Sequence, residues 1–141
     1  MNQQEYSQAI EEMFIPTSKV LEWVQVVKDR YYDEFSELQR GYFERVLKSA
    51  NKLVNLIPKI KILTDELDKH AAIVHGLAGP IVEIRDGAKI ILTSFKIQPV
   101  TDEECEQYLL KISSTGQYLW ILDRDILLKM HLDNLNNEQG K

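Results

Sequence analysis

Cysteine is nearly absent from this sequence: Cys105 is the only one among 141 residues. A single thiol excludes a disulfide framework and a zinc site built from thiolates. Glycine and proline are also scarce, with 6 and 4 residues, which disfavours an all-β fold with many tight turns. No apolar run approaches the roughly 18 residues that a membrane-spanning helix needs. We therefore expect no membrane span.

Positive charge is in the minority, with 17 Lys and Arg against 22 Asp and Glu and a net charge of −5. This balance argues against nucleic acid as the main partner, because a phosphate backbone is bound through cations. The length suits one domain, residues 1–141, and the apolar share of 44% can supply its core. The first residues lack the cationic and apolar segments of a signal peptide, so we expect a cytoplasmic protein.

Apolar residues recur at steps of three and four along nearly the whole sequence, which is the period of amphipathic helices. The pattern predicts helices within residues 18–57, 59–95 and 101–132. The first of these stretches is interrupted near Ser36. Residues 134–141 are polar, and we expect them to form a frayed tail. No stretch has the alternation of a strand.

Two helix starts carry the signature of a capping box, a Ser or Thr followed three residues later by Glu or Gln. Ser36 with Gln39 predicts the start of one helix, and Thr101 with Glu104 predicts the start of another. Pro58 is expected to end or kink the helix before it, because proline lacks the backbone N–H.

The two halves of the sequence match each other. Pro16 aligns with Pro80 at one constant offset, and Tyr42 aligns with Tyr108 at an offset two residues larger. Two unrelated amphipathic helices would also align on their apolar periods. The interpretation as a repeat therefore depends on the shared proline, the shared tyrosine and the two capping boxes. The aligned pairs are Met13 and Leu77, Pro16 and Pro80, Val20 and Ile84, Val24 and Ala88, Val27 and Ile91, Tyr42 and Tyr108, Val46 and Ile112, Ser49 and Thr115, Ala50 and Gly116, Leu53 and Leu119, and Leu56 and Leu122.

We interpret this repeat as two antiparallel helical hairpins in tandem. The first covers residues 1–57, and the second covers residues 58–133 and is followed by the polar tail 134–141. One hairpin cannot bury both sides of its apolar stripe, whereas two hairpins form a continuous core. The predicted fold class is therefore all-α, a pseudo-symmetric four-helix bundle.

The densest chemical signal is the segment around His75. On a helix, His75 lies on an outward face while Leu77 begins the inner, apolar stripe. An exposed imidazole is largely neutral at pH 7 and can act as a nucleophile. The expected inner stripe is Leu77, Ile81, Ile84, Ala88 and Ile91, and the expected outer face is His75, Gly79, Val82, Asp86 and Lys89.

The pattern His-x-Leu-x-x-Pro formed by His75, Leu77 and Pro80 resembles the dimerisation and histidine-phosphotransfer (HisKA-like) domain of sensor histidine kinases. The resemblance covers residues 59–132, and residues 1–58 match as a degenerate copy in which Glu11 takes the position of His75. It implies that His75 is the catalytic residue, supported by Leu77 and Pro80. It also implies that His75 exchanges a phosphoryl group with an aspartate of a response-regulator receiver domain.

The sequence departs from that family at two positions beside the histidine. Gly76 stands where the family usually has an acid that serves autophosphorylation, and Gly79 stands where it often has Thr or Asn. These 141 residues contain no glycine-rich nucleotide box, so we expect no ATP-binding domain within them. The resemblance therefore implies a phosphotransfer intermediate of a two-component phosphorelay, without autokinase activity. It implies no cofactor in this chain, and Mg²⁺ on the partner receiver domain.

We expect the receiver to bind the outward face below His75, together with the neighbouring second helix. The expected partner-binding residues are Gly79, Val82, Arg85, Asp86 and Lys89. The tandem repeat predicts that one chain completes the bundle as a monomer, with a homodimer as the alternative.

Two other functions stay open. The bundle can be a non-catalytic adaptor that binds a response regulator or another helical partner. It can also be the phosphotransfer fragment of a longer sensor kinase. His70 and His131 lack the paired spacing of a metal site. We expect Cys105 to be unreactive, and Trp23 and Trp120 to pack in the core or at its edge.

Overall fold

The computed structural model describes the backbone of residues 3–62 and 67–139, and the side chains of residues 5–59, 76–133, 135 and 136. Within these residues it contains four helices and no strand. A short 3-10 turn, Tyr32–Glu34, follows the first helix. The helices are α1, Gln3–Tyr31; α2, Glu37–Ile62; α3, Leu67–Ser94; and α4, Glu103–Gln139.

Each helix packs along two neighbours. Both α1 and α3 pack against α2 and α4, so α1 lies diagonally opposite α3, and α2 lies opposite α4. This arrangement allows every helix to bury one apolar stripe against two partners. The predicted all-α four-helix bundle is confirmed.

The core consists of the apolar stripes that the helical period predicts. In α3 every residue of the predicted inner stripe is fully buried. Burial of one such Leu or Ile side chain contributes about 2 kcal/mol relative to its exposure to water. The buried stripe of α3 is Leu77, Ile81, Ile84, Ala88 and Ile91.

Burial follows the sequence repeat at most aligned positions. Seven of the eleven aligned pairs are buried in both halves, in α1 as in α3 and in α2 as in α4. Pro16 and Thr115 are half-buried where their aligned residues are buried, and the other two pairs are half-buried in both halves. The halves therefore present equivalent surfaces to the bundle axis. The pairs buried in both halves are Met13 and Leu77, Val20 and Ile84, Val24 and Ala88, Val27 and Ile91, Val46 and Ile112, Ala50 and Gly116, and Leu53 and Leu119.

The start of α2 has the predicted capping box. The backbone N–H of Gln39 donates to Ser36 Oγ at 3.2 Å, and the backbone N–H of Ser36 donates to Gln39 Oε1 at 2.8 Å. Gln39 is buried, and its Nε2 also donates to Ser94 Oγ at 2.9 Å and to the carbonyl of Gln98 at 3.0 Å. The cap of α2 therefore also holds the end of α3.

The start of α4 differs from the prediction. Asp102 caps the helix, because its Oδ1 accepts the backbone N–H of Glu104 at 3.0 Å. Thr101 lies outside the helix, and its hydroxyl donates to Glu34 Oε1 at 2.7 Å. The predicted Thr101–Glu104 capping box is wrong, because the carboxylate one position later satisfies the free N–H of the first turn.

A tyrosine joins α1 to this cap. The hydroxyl of Tyr31 donates to Asp102 Oδ2 at 2.8 Å. The Glu104 N–H and then the Tyr31 hydroxyl lower the pKa of Asp102. Burial and then the bond to Asp102 raise the pKa of Tyr31 to about 12. At the other end of the bundle Tyr6 donates to Asp133 and joins α1 to α4 there.

Two helix ends lie beyond their predicted positions. α2 continues through Pro58 to Ile62, so Pro58 does not end the helix, and the alternative of a kink stays a prediction. Pro58 is exposed, and α1 and α3 likewise continue through Pro16 and Pro80. α4 continues to Gln139 rather than to about 132, because its last residues include no proline or glycine to interrupt it.

Gly116 sets the close approach of α4 to α3. A Cβ at Gly116 would lie 2.9 Å from Arg85 Cα and 3.0 Å from its backbone nitrogen. A Cβ at Gly87 would lie 2.6 Å from Val46 Cγ2, on the side of α3 that faces α2. These two glycines allow α3 to pack closely against both neighbours.

We expect Gly116→Ala to lower the free energy of unfolding by about 1–3 kcal/mol, because the added methyl group meets the backbone of α3. Gly41→Ala is the matched control, since a Cβ at that exposed helical position meets nothing within 4 Å. It should raise the free energy of unfolding by about 0.5–1 kcal/mol through helix propensity. Urea denaturation followed by circular dichroism measures both. Equal stabilisation by the two substitutions would contradict the close packing.

Asp102 gives the fold an acid-sensitive contribution. Because the pKa of Asp102 is lowered in the folded chain, its carboxylate stabilises the fold above its unfolded pKa of about 4. That stabilisation is lost as the pH falls through the lower, folded-state pKa. We expect the melting temperature to fall less in Asp102→Asn than in the wild type between neutral pH and about pH 3. Asp29→Asn is the control, and identical acid profiles for wild type and Asp102→Asn would refute the assignment.

Candidate functional site

His75 lies in α3, but its side chain is outside the described residues. The outward orientation of its imidazole therefore stays a prediction. The residues that follow it have the predicted register: Leu77 and Pro80 are buried and Gly79 is exposed. α3 continues through Pro80 without a break, so the motif lies on a continuous helix.

The glycines beside His75 are not required by packing. A Cβ at Gly76 or at Gly79 would meet nothing within 4 Å, and both residues are exposed. An acidic or polar side chain would therefore fit at either position. The departure from the histidine-kinase pattern is a chemical difference rather than a steric requirement of this bundle.

Arg85 and Asp86 neutralise each other on the face between α3 and α4. Arg85 Nε donates to Asp86 Oδ1 at 2.9 Å, and Arg85 Nη2 donates to Asp86 Oδ2 at 3.3 Å. These hydrogen bonds are the main cause of the lowered pKa of Asp86. Arg85 Nη1 also donates to Gln117 Oε1 at 3.3 Å. Arg85 is therefore committed to contacts within the chain.

The same arginine lies against Trp120 of α4. The Arg85 guanidinium carbon is 5.1 Å from the centre of the Trp120 ring, and that of Arg124 is 4.0 Å from it. Trp120 is half-buried, as predicted for a residue at the edge of the core. These cation–π contacts hold the outer surface of the second hairpin in a defined arrangement.

The predicted docking residues line two different grooves. Arg85, Asp86 and Lys89 line a groove of about 590 Å³ between α3 and α4, together with α4 residues such as Gln117. Gly79 lines a separate groove of about 360 Å³ between α3 and α2. Val82 is half-buried. The outward ridge of α3 therefore separates two surfaces that the helical pattern alone presents as one.

The groove between α2 and α3 carries a row of cations. Arg45, Lys48 and Lys52 of α2 are exposed along it, opposite Gly79, and Glu83 is the only acidic residue in its lining. Their spacing of three and four residues places the three cations on one face of α2. The sequence contained this signal, but only the packing of the hairpins places it beside the His75 motif.

The position equivalent to His75 in the first half is Glu11. It is exposed on α1 and borders an apolar groove of about 240 Å³, lined also by Phe14, Ile57 and Pro58. This half offers no imidazole at that position. The chemistry expected from the repeat is therefore confined to the second hairpin.

Cys105 is buried in the first turn of α4. Desolvation is the main cause that raises the pKa of its thiol to about 12, and the nearby Glu34 carboxylate adds to it. The thiolate, which is the reactive form, is therefore disfavoured. The thiol serves as a small apolar core group, as expected.

Asp123 is a residue that the sequence analysis did not single out. It is fully buried on α4, where the aligned residue of the first half is Ile57. A buried carboxylate is costly unless its surroundings compensate the charge. The periodicity of the apolar residues did not indicate that Asp123 is buried, because one polar residue changes the apolar pattern of a helix very little.

The structure describes the side chain of one of the other two histidines. His131 is exposed on α4, and the side chain of His70 lies outside the described residues. Among the residues with described side chains, no three His, Cys, Asp or Glu groups are placed to bind one metal ion. The helices described here include none with the length and hydropathy to cross a membrane.

Comparison of the chain with protein-family models, curated proteins and solved structures finds no match.

We expect Cys105 to resist thiol reagents in the native protein, because it is buried and its pKa is raised to about 12. The rate of reaction with Ellman's reagent should rise by at least about a hundredfold when urea unfolds the chain. Free cysteine under the same conditions is the control. A native rate close to that of free cysteine would show that the thiol is exposed.

Proposed function

We propose that this protein is a histidine phosphotransfer protein of a two-component phosphorelay, with His75 as the residue that carries the phosphoryl group. The observation that supports it best is the register of α3. Leu77 and Pro80 of the His-x-Leu-x-x-Pro pattern are buried, while Gly79 is exposed. This is the alternation that the motif needs if its histidine is to meet a partner.

The proposed reaction requires little from this chain beyond an accessible imidazole. The lone pair of one imidazole nitrogen attacks phosphorus, and an N–P bond forms as the bond to the receiver's aspartate oxygen breaks. The aspartate leaves as its carboxylate, and the imidazole loses the proton of its other nitrogen to water. The reverse step returns the phosphoryl group to a receiver. Mg²⁺ held by the receiver would stabilise the charge on the transferring group.

Autophosphorylation from ATP is not part of this proposal. Gly76 provides no carboxylate beside His75, and the described residues contain no strand from which an α/β nucleotide-binding domain could be built. We propose that the chain acts in the cytoplasm. We also propose that it is a monomer, because its two hairpins complete one bundle core.

A non-catalytic adaptor is the second candidate, and Gly76 and Gly79 favour it. Both positions have room for a side chain. Gly76 nevertheless lacks the acid, and Gly79 lacks the Thr or Asn, that assist phosphate chemistry in the histidine-kinase family that this segment resembles. An adaptor would bind a receiver domain or another helical partner through the same face without accepting phosphate. The two candidates differ in what happens at His75.

Phosphotransfer from receiver domains tests the proposal. The protein is mixed with phosphorylated receiver domains from the source organism, and acid-labile label on this chain is measured. We expect label on the wild type and none above background on His75→Ala. The matched control is His131→Ala, which removes an exposed histidine of α4 and should take label at the wild-type rate.

Two results would contradict phosphotransfer at His75. Equal label on His75→Ala and on the wild type would place the phosphoryl group elsewhere. Binding of a receiver without label on any variant would favour the adaptor. Far-ultraviolet circular dichroism of each variant verifies that the helices are retained. A mass in solution near twice 16.4 kDa would count against the monomer.

A further inference from the structure

We propose that the partner of this bundle docks with an acidic segment of its protein surface in the groove between α2 and α3, against Arg45, Lys48 and Lys52. These three side chains are called the cation row below. The inference rests on the proposed function, because it identifies the docking surface next to His75. It differs from the sequence-based expectation, which assigned docking to the face shared by α3 and α4.

The charge of this groove is opposite to that of the chain as a whole. The chain has a net charge of −5, whereas the groove has three cations and a single acid, Glu83. Among the described residues, no ion pair joins a member of the cation row to a carboxylate, and the Arg45 guanidinium carbon lies 5.5 Å from the centre of the Tyr42 ring. Unpaired cations in a concave surface attract an acidic partner and orient it.

The groove between α3 and α4 lacks this property. Arg85 lines this groove, but it donates hydrogen bonds to Asp86 and Gln117. The Asp86 carboxylate therefore neutralises its charge within the chain. Lys89 is the remaining exposed cation there. A partner that docked on this face would have to break contacts that the bundle already makes.

The shape of the α2–α3 groove suits an extended segment. The cation row spans eight residues of α2, so its first and last members are about 10 Å apart along the helix axis. Gly79 forms an open part of the opposite wall, one helical turn after His75. The buried Pro80 and Ser49 close the floor. A short acidic segment lying along the row would therefore come within one turn of the phosphorylation site.

The pseudo-symmetric groove between α4 and α1 serves as an internal comparison. At the positions of α4 aligned with the cation row, Tyr118 stands for Lys52, Ser114 for Lys48 and Lys111 for Arg45. On α1, Ile15 stands for Gly79. Tyr118 and Ile15 are exposed. The full run of three cations and the open wall therefore occur in the groove that borders the helix of His75, whereas on α4 only Lys111 keeps a cation at the aligned positions.

A nucleic acid fits these observations less well. Three cations within about 10 Å can contact only a short stretch of phosphates, and the acidic remainder of the chain would repel the rest of a polyanion. A folded protein with a local acidic patch avoids this repulsion. We therefore assign the groove to an acidic protein surface.

The test is the double variant Lys48→Glu/Lys52→Glu in the full chain. With a phosphorylated receiver domain that labels the wild type, we expect its KM to rise at least about tenfold with little change in kcat. The matched control is Lys28→Glu/Lys96→Glu, which changes the net charge equally at exposed sites outside the groove and should keep the wild-type KM. Circular dichroism verifies the fold of both.

Two outcomes with that receiver would overturn the inference and leave phosphotransfer intact. The first is a wild-type KM for Lys48→Glu/Lys52→Glu. The second is an equal rise in KM for the control, which would indicate a general charge effect. A third variant, Lys89→Glu, shows whether the α3–α4 face is used instead.

If no receiver labels the wild type, the proposed function fails, and a second probe then tests whether the groove binds an acidic surface. A fluorescein-labelled oligo-glutamate peptide is titrated at low salt. Binding to the wild type that weakens at least about tenfold in Lys48→Glu/Lys52→Glu supports the acidic-surface assignment. Absence of binding, or equal binding to both, overturns it. Tighter binding of a DNA duplex with the same sensitivity to the double variant would also overturn it and identify a nucleic-acid site.

Discussion

Burial of four apolar stripes against one another is the constraint on which the rest of the structure depends. Each helix exposes its polar side and buries one stripe, and a single hairpin would leave half of that surface in water. The register of the buried residues determines which residues face outward. Leu77 and Ile81 are buried, and Gly79 between them is therefore exposed. Core packing therefore determines which residues of α3 face outward and form the candidate site.

Polar contacts at the ends of the bundle fix where its helices begin and end. Gln39 completes the cap of α2 and holds the end of α3, while Asp102 caps α4 and accepts the hydroxyl of Tyr31. Each of these side chains satisfies free backbone groups and joins two helices at once. The helices are therefore fixed in rotation as well as in length, which keeps the outward residues of α3 in place.

The two halves differ in their outer grooves, although most aligned core positions are buried in both halves. Gly87 leaves room for Val46 between α3 and α2, whereas the aligned residue of the first half is Trp23, beside Lys111 of α4. Core packing constrains both halves alike, because both must fill the same interior. The outer grooves have no such requirement, so they are free to differ in charge and shape. That difference makes one side of the bundle the better candidate for a partner.

The sequence by itself determined the helical class, the buried stripes and the capping box at Ser36, because these depend on residues within one or two turns of each other. It misplaced the end of α2 near Pro58 and the cap at Thr101, since neighbouring groups decide how an end is satisfied. The neutralisation of Arg85 by Asp86 and Gln117 and the division of the outer face of α3 into two grooves were decided only by the tertiary structure. Both depend on which helices are neighbours and how closely they approach, and helical periodicity carries no information on either.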